Sequence, residues 1–428
     1  MRPLALLVSM LILVVSPLSV ALSSAAERYE LDLQTPGGPL PVLVDVTAPP
    51  RVPRCEIVFR NGGEDLHAEV VSVQAGADAD GLETKYTVRI PGFASTLEWT
   101  VDKDAEGEQV GSGQWVTQRR NGEAVVPLVV RRGPSPPAAG DLARVETSIR
   151  SGRYHVRFGE DTDPAIGIFD IKPDGSATGT FLTPTGDFRY LAGSAAGNTL
   201  RLSCFDGAHA FLFKAERQDN GTLKGDFWAG NWWHDTWSAE FDPGARLPDP
   251  FEQTAVVGTG AQLESLVFRN LDGDPTPVSA IAPPGTPRVI IVFGSWCPNC
   301  HDETALLTEL DKKYGPRGLL IAGLAFEYET DPTAAGERVR QFAKDMHVDY
   351  PLLIAGVSDK GRATEALPVL DKVRAMPTTM FIDGEGVIRA VYTGFSGPAT
   401  GSSYDRLRHE FTTLIESMLP DRAHGPED

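Results

Sequence analysis

Two cysteines, Cys297 and Cys300, are separated by Pro298 and Asn299 in the run Trp296-Cys-Pro-Asn-Cys300. Thiols at this spacing can form a reversible disulfide, and a thiolate of the pair can attack a disulfide elsewhere. The flanking pattern says where the pair sits. Val289-Ile-Ile-Val-Phe293 is a continuous apolar run, as in a buried strand, and Leu306, Leu307, Leu310 and Tyr314 then keep helical spacing. The motif therefore falls where a strand hands over to a helix predicted over 298–314. Cys297 would occupy or adjoin the helix N-cap, where unpaired N–H groups and the helix dipole favour the thiolate. Pro298 suits the first helical position, which has no N–H to waste. Cys300 lies one turn inside and more buried. His301, four residues after Cys297, would add to thiolate stabilisation if protonated, whereas Asp302 and Glu303 would oppose it. The same spacing is half of a zinc knuckle, but no further pair of thiol or imidazole ligands follows at similar spacing, so no metal is expected.

A second element is Met376-Pro377-Thr-Thr-Met-Phe-Ile-Asp383. A proline just before a buried strand is where a cis peptide can present its backbone to a substrate. It is also an ordinary place for a trans proline at a strand start.

The elements that must position these residues alternate. Leu319–Leu324 reads as a buried strand, Val339, Phe342, Ala343 and Met346 as one face of a helix, and 350–354, 378–382 and 387–392 as further strands. A last amphipathic helix carries Leu407, Phe411, Leu414, Ile415 and Met418, with Ser402-x-x-Asp405 as its capping pattern and Pro420 as its stop. Such alternation implies an α/β domain with a central sheet.

Together these residues resemble the thioredoxin fold, and within it the TlpA/ResA-like exported thiol–disulfide oxidoreductases. The shared pattern is a strand, W-C-x-x-C, a helix, a strand ending near a glutamate, an extra helix and strand, then x-P-T-T-x-F-I-D-x-x-G, over about residues 262–420. The resemblance implies that Cys297 attacks, Cys300 resolves and Pro377 is a cis-proline, with Trp296, Pro298 and Asn299 completing the active-site motif. It also implies that Glu327, just past strand 319–324, is a buried acid near Cys300. The position six before Cys297, an acid in cytoplasmic thioredoxins, is Ile291 here. The implied partners are protein thiols and disulfides and a membrane-linked or periplasmic redox partner, with no cofactor. The Pro-x-x-x-Thr/Ser-x-x-Cys environment of the peroxidase branch is missing, since Phe293-Gly-Ser-Trp296 precedes Cys297.

The rest of the chain reads as β. Pro41–Val46, Cys55–Arg60 and Ala124–Val130 are short, β-branched runs bounded by Gly or Pro. Leu200, Leu202 and Cys204 alternate with Arg201 and Ser203. Trp233, Trp237, Ala239 and Phe241 share a face that only Asp235 interrupts. Lys172-Pro-Asp-Gly175 and Asp219-Asn-Gly221 are turn sequences. A sandwich or barrel is expected, followed by the thioredoxin-like domain with its mixed central sheet. The boundaries read as a signal peptide over 1–26, a β-rich domain over 27–131, a second one or its continuation over 141–245, the thioredoxin-like domain over 262–420 and a tail over 421–428.

Net charge is −19, which repels phosphate backbones and argues against nucleic acid. Leu4–Val20 is almost wholly apolar and ends before Ser24-Ala-Ala26, as in a cleaved signal peptide, which places the chain in the periplasm or otherwise outside the cytoplasm. Left uncleaved, the same segment would anchor it in a membrane. Four of the seven tryptophans fall within Trp228–Trp237. Core packing is the commoner use of such residues. The alternative is a β region that binds a glycan or another ligand, with an auxiliary redox domain. Cys55 and Cys204, both on apolar strand faces, are expected to be buried.

Overall fold

The computed structural model describes residues 26–47, 55–75, 83–102, 105–134 and 144–420. The segment read as a signal peptide, apart from residue 26, most of the proline-rich stretch 131–140 and the tail 421–428 lie outside the described residues.

Eight strands build the first β unit: β1 (Glu27–Thr35), β2 (Gly38–Thr47), β3 (Glu56–Asn61), β4 (Glu64–Ala75), β5 (Glu83–Arg89), β6 (Ser95–Asp102), β7 (Gln109–Arg119) and β8 (Gly122–Arg132). They pair antiparallel in chain order, and β1 pairs back on β8 with Leu31 opposite Val130, which closes a barrel and leaves no free sheet edge. The period-2 pattern decides what is inside. Along β6 Ser95, Leu97, Trp99 and Val101 are buried while the residues between them are partly exposed. Trp115 fills the interior and donates from Nε1 to Ser95 Oγ at 2.8 Å.

The second unit has nine strands: β9 (Gly152–Phe158), β10 (Ala165–Ile171), β11 (Ser176–Thr183), β12 (Gly186–Asp187), β13 (Leu191–Ala196), β14 (Thr199–Phe205), β15 (Ala210–Arg217), β16 (Leu223–Ala229) and β17 (Trp233–Phe241). Pairing of β10 with both β9 and β11 closes all of them but the short β12 into a second ring. Its interior is dense in aromatic rings, with Phe213 and Phe227 stacked at 4.4 Å and Phe181 against Trp237 at 5.1 Å. Both β units are barrels, not sandwiches. Of the expected apolar face of β17, Trp237 and Ala239 point inward, but Trp233 and Phe241 at its ends are 59% and 39% exposed, because each end is paired on one side only. The other tryptophans of the cluster also pack: Trp232 lies 5.8 Å from Trp115, under the Arg119 guanidinium, and Trp228 stacks on His234. Cys55 is half-buried, because it precedes β3 and does not lie within it, and Cys204 is fully buried; both are free thiols. The barrels share apolar contacts, with Phe205 of the second against Phe59 and Trp115 of the first.

The C-terminal unit runs α1 (Gly260–Ser265), β18 (Val267–Asn270), β19 (Pro275–Pro277), β20 (Arg288–Phe293), α2 (Pro298–Tyr314), β21 (Leu320–Glu327), α3 (Pro332–Asp345), β22 (Leu352–Val357), α4 (Lys360–Ala366), β23 (Thr378–Ile382), β24 (Ile388–Thr393) and α5 (Ser402–Met418). Its mixed sheet has the order β19-β18-β22-β21-β20-β23-β24, with β20, β21 and β22 parallel and the rest antiparallel. Every residue of β20 is buried, as a central strand covered on both faces requires. Helix α5 begins one residue earlier than its capping pattern suggests. Gly401 is the N-cap and no side chain caps it, so Ser402 is the first helical residue.

The three units meet around Arg189, a buried residue with φ of 55° just after β12. Its Nη1 lies 2.6 Å from Asp302 and 3.0 Å from Pro298 O on α2, and its Nη2 pairs with Glu64 of the first barrel. Asp206 of the second barrel is 3.7 Å from its Nε. Replacing Arg189 by Ala leaves these carboxylates facing one another in a largely buried interface. We expect a loss of about 3–5 kcal/mol of unfolding free energy, read as a lowered midpoint in urea followed by tryptophan fluorescence.

Candidate functional site

Helix α2 starts where the spacing of apolar residues puts it, and Cys297 is its N-cap in extended backbone. The Cys300 N–H donates to Cys297 Sγ at 3.4 Å, satisfying one of the helix's first free donors. As a thiol, Cys297 donates in turn to Met376 O at 3.3 Å, the carbonyl immediately before Pro377. The Met376–Pro377 peptide bond is cis. Cys297 is 6% exposed and Cys300 0%, and both are free thiols. Burial pushes the Cys300 thiol well above its ordinary range, reinforced by its hydrogen bond with Cys297.

Trp296 covers one flank. Its indole stacks on Tyr328 at 4.8 Å and donates to Phe326 O at 2.9 Å. Asn299 covers the other, with Oδ1 accepting from Asp187 N at 2.9 Å and Nδ2 donating to Asp187 O at 3.0 Å. The two-residue insert of the C-x-x-C thus forms a two-point joint with the second barrel.

His301 does not act as a cation here. Its ring is buried, stacks on Phe93 of the first barrel at 3.9 Å, and shares a 2.7 Å hydrogen bond with Ser295 O. Burial pushes its pKa down to about 3, so it is neutral at physiological pH and lends nothing to a thiolate.

Glu327 ends β21 and is 1% exposed. Both its oxygens are taken by Ser295, from the backbone N at 2.8 Å and from Oγ at 2.6 Å. Burial raises its pKa to about 7 against those bonds. Neither cysteine is among its hydrogen-bond partners, so it braces the loop before Cys297.

A second buried acid was not singled out in the sequence. Glu303, one turn beyond Cys300 on α2, is 0% exposed. Thr379 Oγ1 donates to one of its oxygens, and the other has no hydrogen-bond partner. Burial raises its pKa to about 8, and its charge in turn raises that of Cys300. The signal was present in the spacing: Cys300, Glu303, Leu307, Leu310 and Tyr314 form one helical stripe, and an acid within an apolar stripe faces the core.

Residues 257–407 match the Redoxin family model. The C-terminal part of this chain is a Redoxin domain. Its relatives include the thiol:disulfide interchange protein DsbE of Pseudomonas fluorescens biotype C, 29% identical over 136 residues that cover 32% of this chain and 66% of that protein. The thiol-disulfide oxidoreductase ResA of Halalkalibacterium halodurans is 27% identical over 169 residues, 39% of this chain and 82% of its own. Among solved structures, a thioredoxin-family thiol:disulfide interchange protein from Chlorobium tepidum TLS is 18% identical with a TM-score of 0.28, covering 39% of this chain and 98% of its own. The Redoxin domain is thus homologous to thiol–disulfide oxidoreductases, and a ligand-binding role with auxiliary redox chemistry is not favoured.

Glu303 makes the stability of the Redoxin domain depend on pH. Its folded pKa of about 8 lies above the ordinary carboxyl value of 4.5, so the folded state holds a proton that the unfolded state has released. Its contribution is complete below pH 4.5 and is lost as pH rises toward 8, at ~1.4 kcal/mol per unit. Glu303→Gln keeps an acceptor for Thr379 and removes the ionisation. The variant should match the parent at pH 4.5 and exceed it by several kcal/mol at pH 8.5 in denaturant titrations.

Proposed function

We propose that this protein is an exported thiol–disulfide oxidoreductase that exchanges disulfides with polypeptide substrates through Cys297 and Cys300. The observation that carries the reading is the setting of Cys297: an N-cap thiol that receives the Cys300 N–H and lies against the carbonyl preceding a cis proline. The Cys297 thiolate attacks a substrate disulfide, forming a mixed disulfide and expelling the substrate's other sulfur as thiolate. Cys300 then loses its proton and attacks Cys297 Sγ, closing the internal disulfide and releasing the second substrate thiol. Two electrons pass from the pair to the substrate, and the reverse sequence oxidises a dithiol.

Resolution needs a proton acceptor for a thiol that burial holds protonated. In its ionised form Glu303 fits that role by its place beside Cys300, its unpartnered oxygen and the stronger basicity that its raised pKa gives it. Glu327 then serves as a positioning residue through Ser295. Pro377 sets the backbone that meets the incoming chain, and Trp296 shields the pair.

Export rests on the apolar N-terminal segment, and no helix among the described residues is long and apolar enough to cross a membrane. The partners that fit are exported protein thiols and disulfides and a redox partner at the membrane or in the periplasm.

In the full chain carrying Cys55→Ser and Cys204→Ser, Cys297→Ser should abolish reduction of a small disulfide. Cys300→Ser should instead accumulate a mixed disulfide, seen as a mass adduct that dithiothreitol removes. Equilibration of the intact pair against glutathione gives its direction: near ~−270 mV it is a reductant, near ~−120 mV a disulfide donor. A pair that does not titrate would sink the reading.

A further inference from the structure

Asp235, the polar residue that interrupts the apolar face of β17, stands at one end of the second barrel on the rim of a cavity of about 320 Å³. Asp161 and Asp163 share that rim. Their backbone bonds do not neutralise them: Asp161 Oδ1 accepts from Asp163 N at 3.0 Å and Asp235 Oδ1 from Thr236 N at 2.8 Å. Among the described residues none of the three has an ion-pair partner, although Lys360 feels Asp163 through space. Below the rim the wall is aromatic, with Phe158 and Phe188 stacked at 5.5 Å and Phe227 beside them. Asn299, the residue that precedes Cys300 in the redox motif, also lines the cavity.

This combination has a definite chemical complement. Aromatic faces accept an alkyl stem and attract a cation, and uncompensated carboxylates at the mouth attract the charged head. A lysine or arginine side chain meets both demands, whereas an acidic or purely apolar group meets at most one. The location decides where that side chain comes from. Asn299 borders both the cavity and the redox motif, so a polypeptide whose disulfide is seated at Cys297 and whose chain continues toward Asn299 would bring residues flanking its cysteine to the cavity.

We propose that the mouth of the second barrel is a subsite for a basic side chain of the substrate polypeptide, next to the cysteine that reacts with Cys297. The barrel then selects substrates for the Redoxin domain as well as supporting it. This inference rests on the oxidoreductase reading of Cys297 and Cys300.

The test uses the reduced full chain, a small neutral aromatic disulfide, and two peptides with the same internal disulfide flanked by lysines or by glutamates. Each peptide is reduced to its dithiol as the Cys297–Cys300 pair closes, and the readout is the ratio of the single-turnover second-order rate constant for the lysine peptide to that for the glutamate peptide. We expect a ratio of about ten at low salt, decreasing in 0.5 M salt as exposed charges are screened. Asp161→Asn with Asp163→Asn and Asp235→Asn should bring it near one. Asp161→Lys, at an exposed position, should reverse it. A ratio near one in the parent, or one that these substitutions leave unchanged, overturns the subsite. Failure of the parent to reduce even the small disulfide overturns the oxidoreductase reading instead.

Discussion

One buried guanidinium holds the molecule's three units in register. Burial alone would lower the Arg189 pKa, but Asp302, Glu64, Asp206 and Asp187 together raise it well above its ordinary value. The converse is visible in the acids. Asp206, facing both Arg189 and His209, is pulled down to about 2 despite full burial, whereas Asp302 stays near 7 because burial outweighs its single cation. A charge this deep is tolerable only while its partners are in place. The C-x-x-C helix, the first barrel through Glu64 and the second through Asp187 and Asp206 are therefore mutually dependent. None can shift without stranding a charge.

That dependence gives the Pro298-Asn299 insert a second role. Within a bare redox domain the two residues between the cysteines are free to tune the pair and to face the substrate. Here the Pro298 carbonyl accepts from Arg189 and the Asn299 amide spans the Asp187 backbone. Gly397 N donates to the Asp187 carboxylate as well, and adding a Cβ at Gly394 would bring it within 2.7 Å of Pro184 O. The segment from Pro184 to Arg189 thus lies across the side of the redox pair away from Trp296. Access to Cys297 is shaped by the barrel as much as by the domain that carries the thiol.

The parts of this arrangement that were legible in the sequence are those written in local periodicity. Helix α2 over 298–314 follows from Leu306, Leu307, Leu310 and Tyr314, and the alternation at Leu200, Leu202 and Cys204 follows from a half-buried strand. Closure of the barrels was not legible, because the pairings of β1 with β8 and of β10 with β11 are tertiary facts that no strand's own pattern records. Arg189 was missed for the same reason: its partners stand at positions 64, 206 and 302, and nothing in its neighbourhood announces them. His301 was read as a potential cation because sequence gives its place on the helix but not the Phe93 ring that buries it. Asp235 was legible as an exception, and its meaning waited for the barrel mouth it borders.

The first turns of α2 resolve an apparent conflict. Read locally, Asp302 and Glu303 place two negative charges beside a thiol that works as an anion, working against the positive field of the helix N-terminus. In three dimensions neither acts that way. The charge that Asp302 carries is met by Arg189 at 2.6 Å. Glu303, with a pKa near 8, keeps its proton over most of the neutral range. The field at Cys297 is therefore left largely to the helix and its free N–H groups, and it is the ionised fraction of Glu303 that can take the proton Cys300 gives up when the pair closes. Burial, which makes a carboxylate costly to the fold, is what makes this one compatible with a thiolate at one step and useful to a thiol at the next.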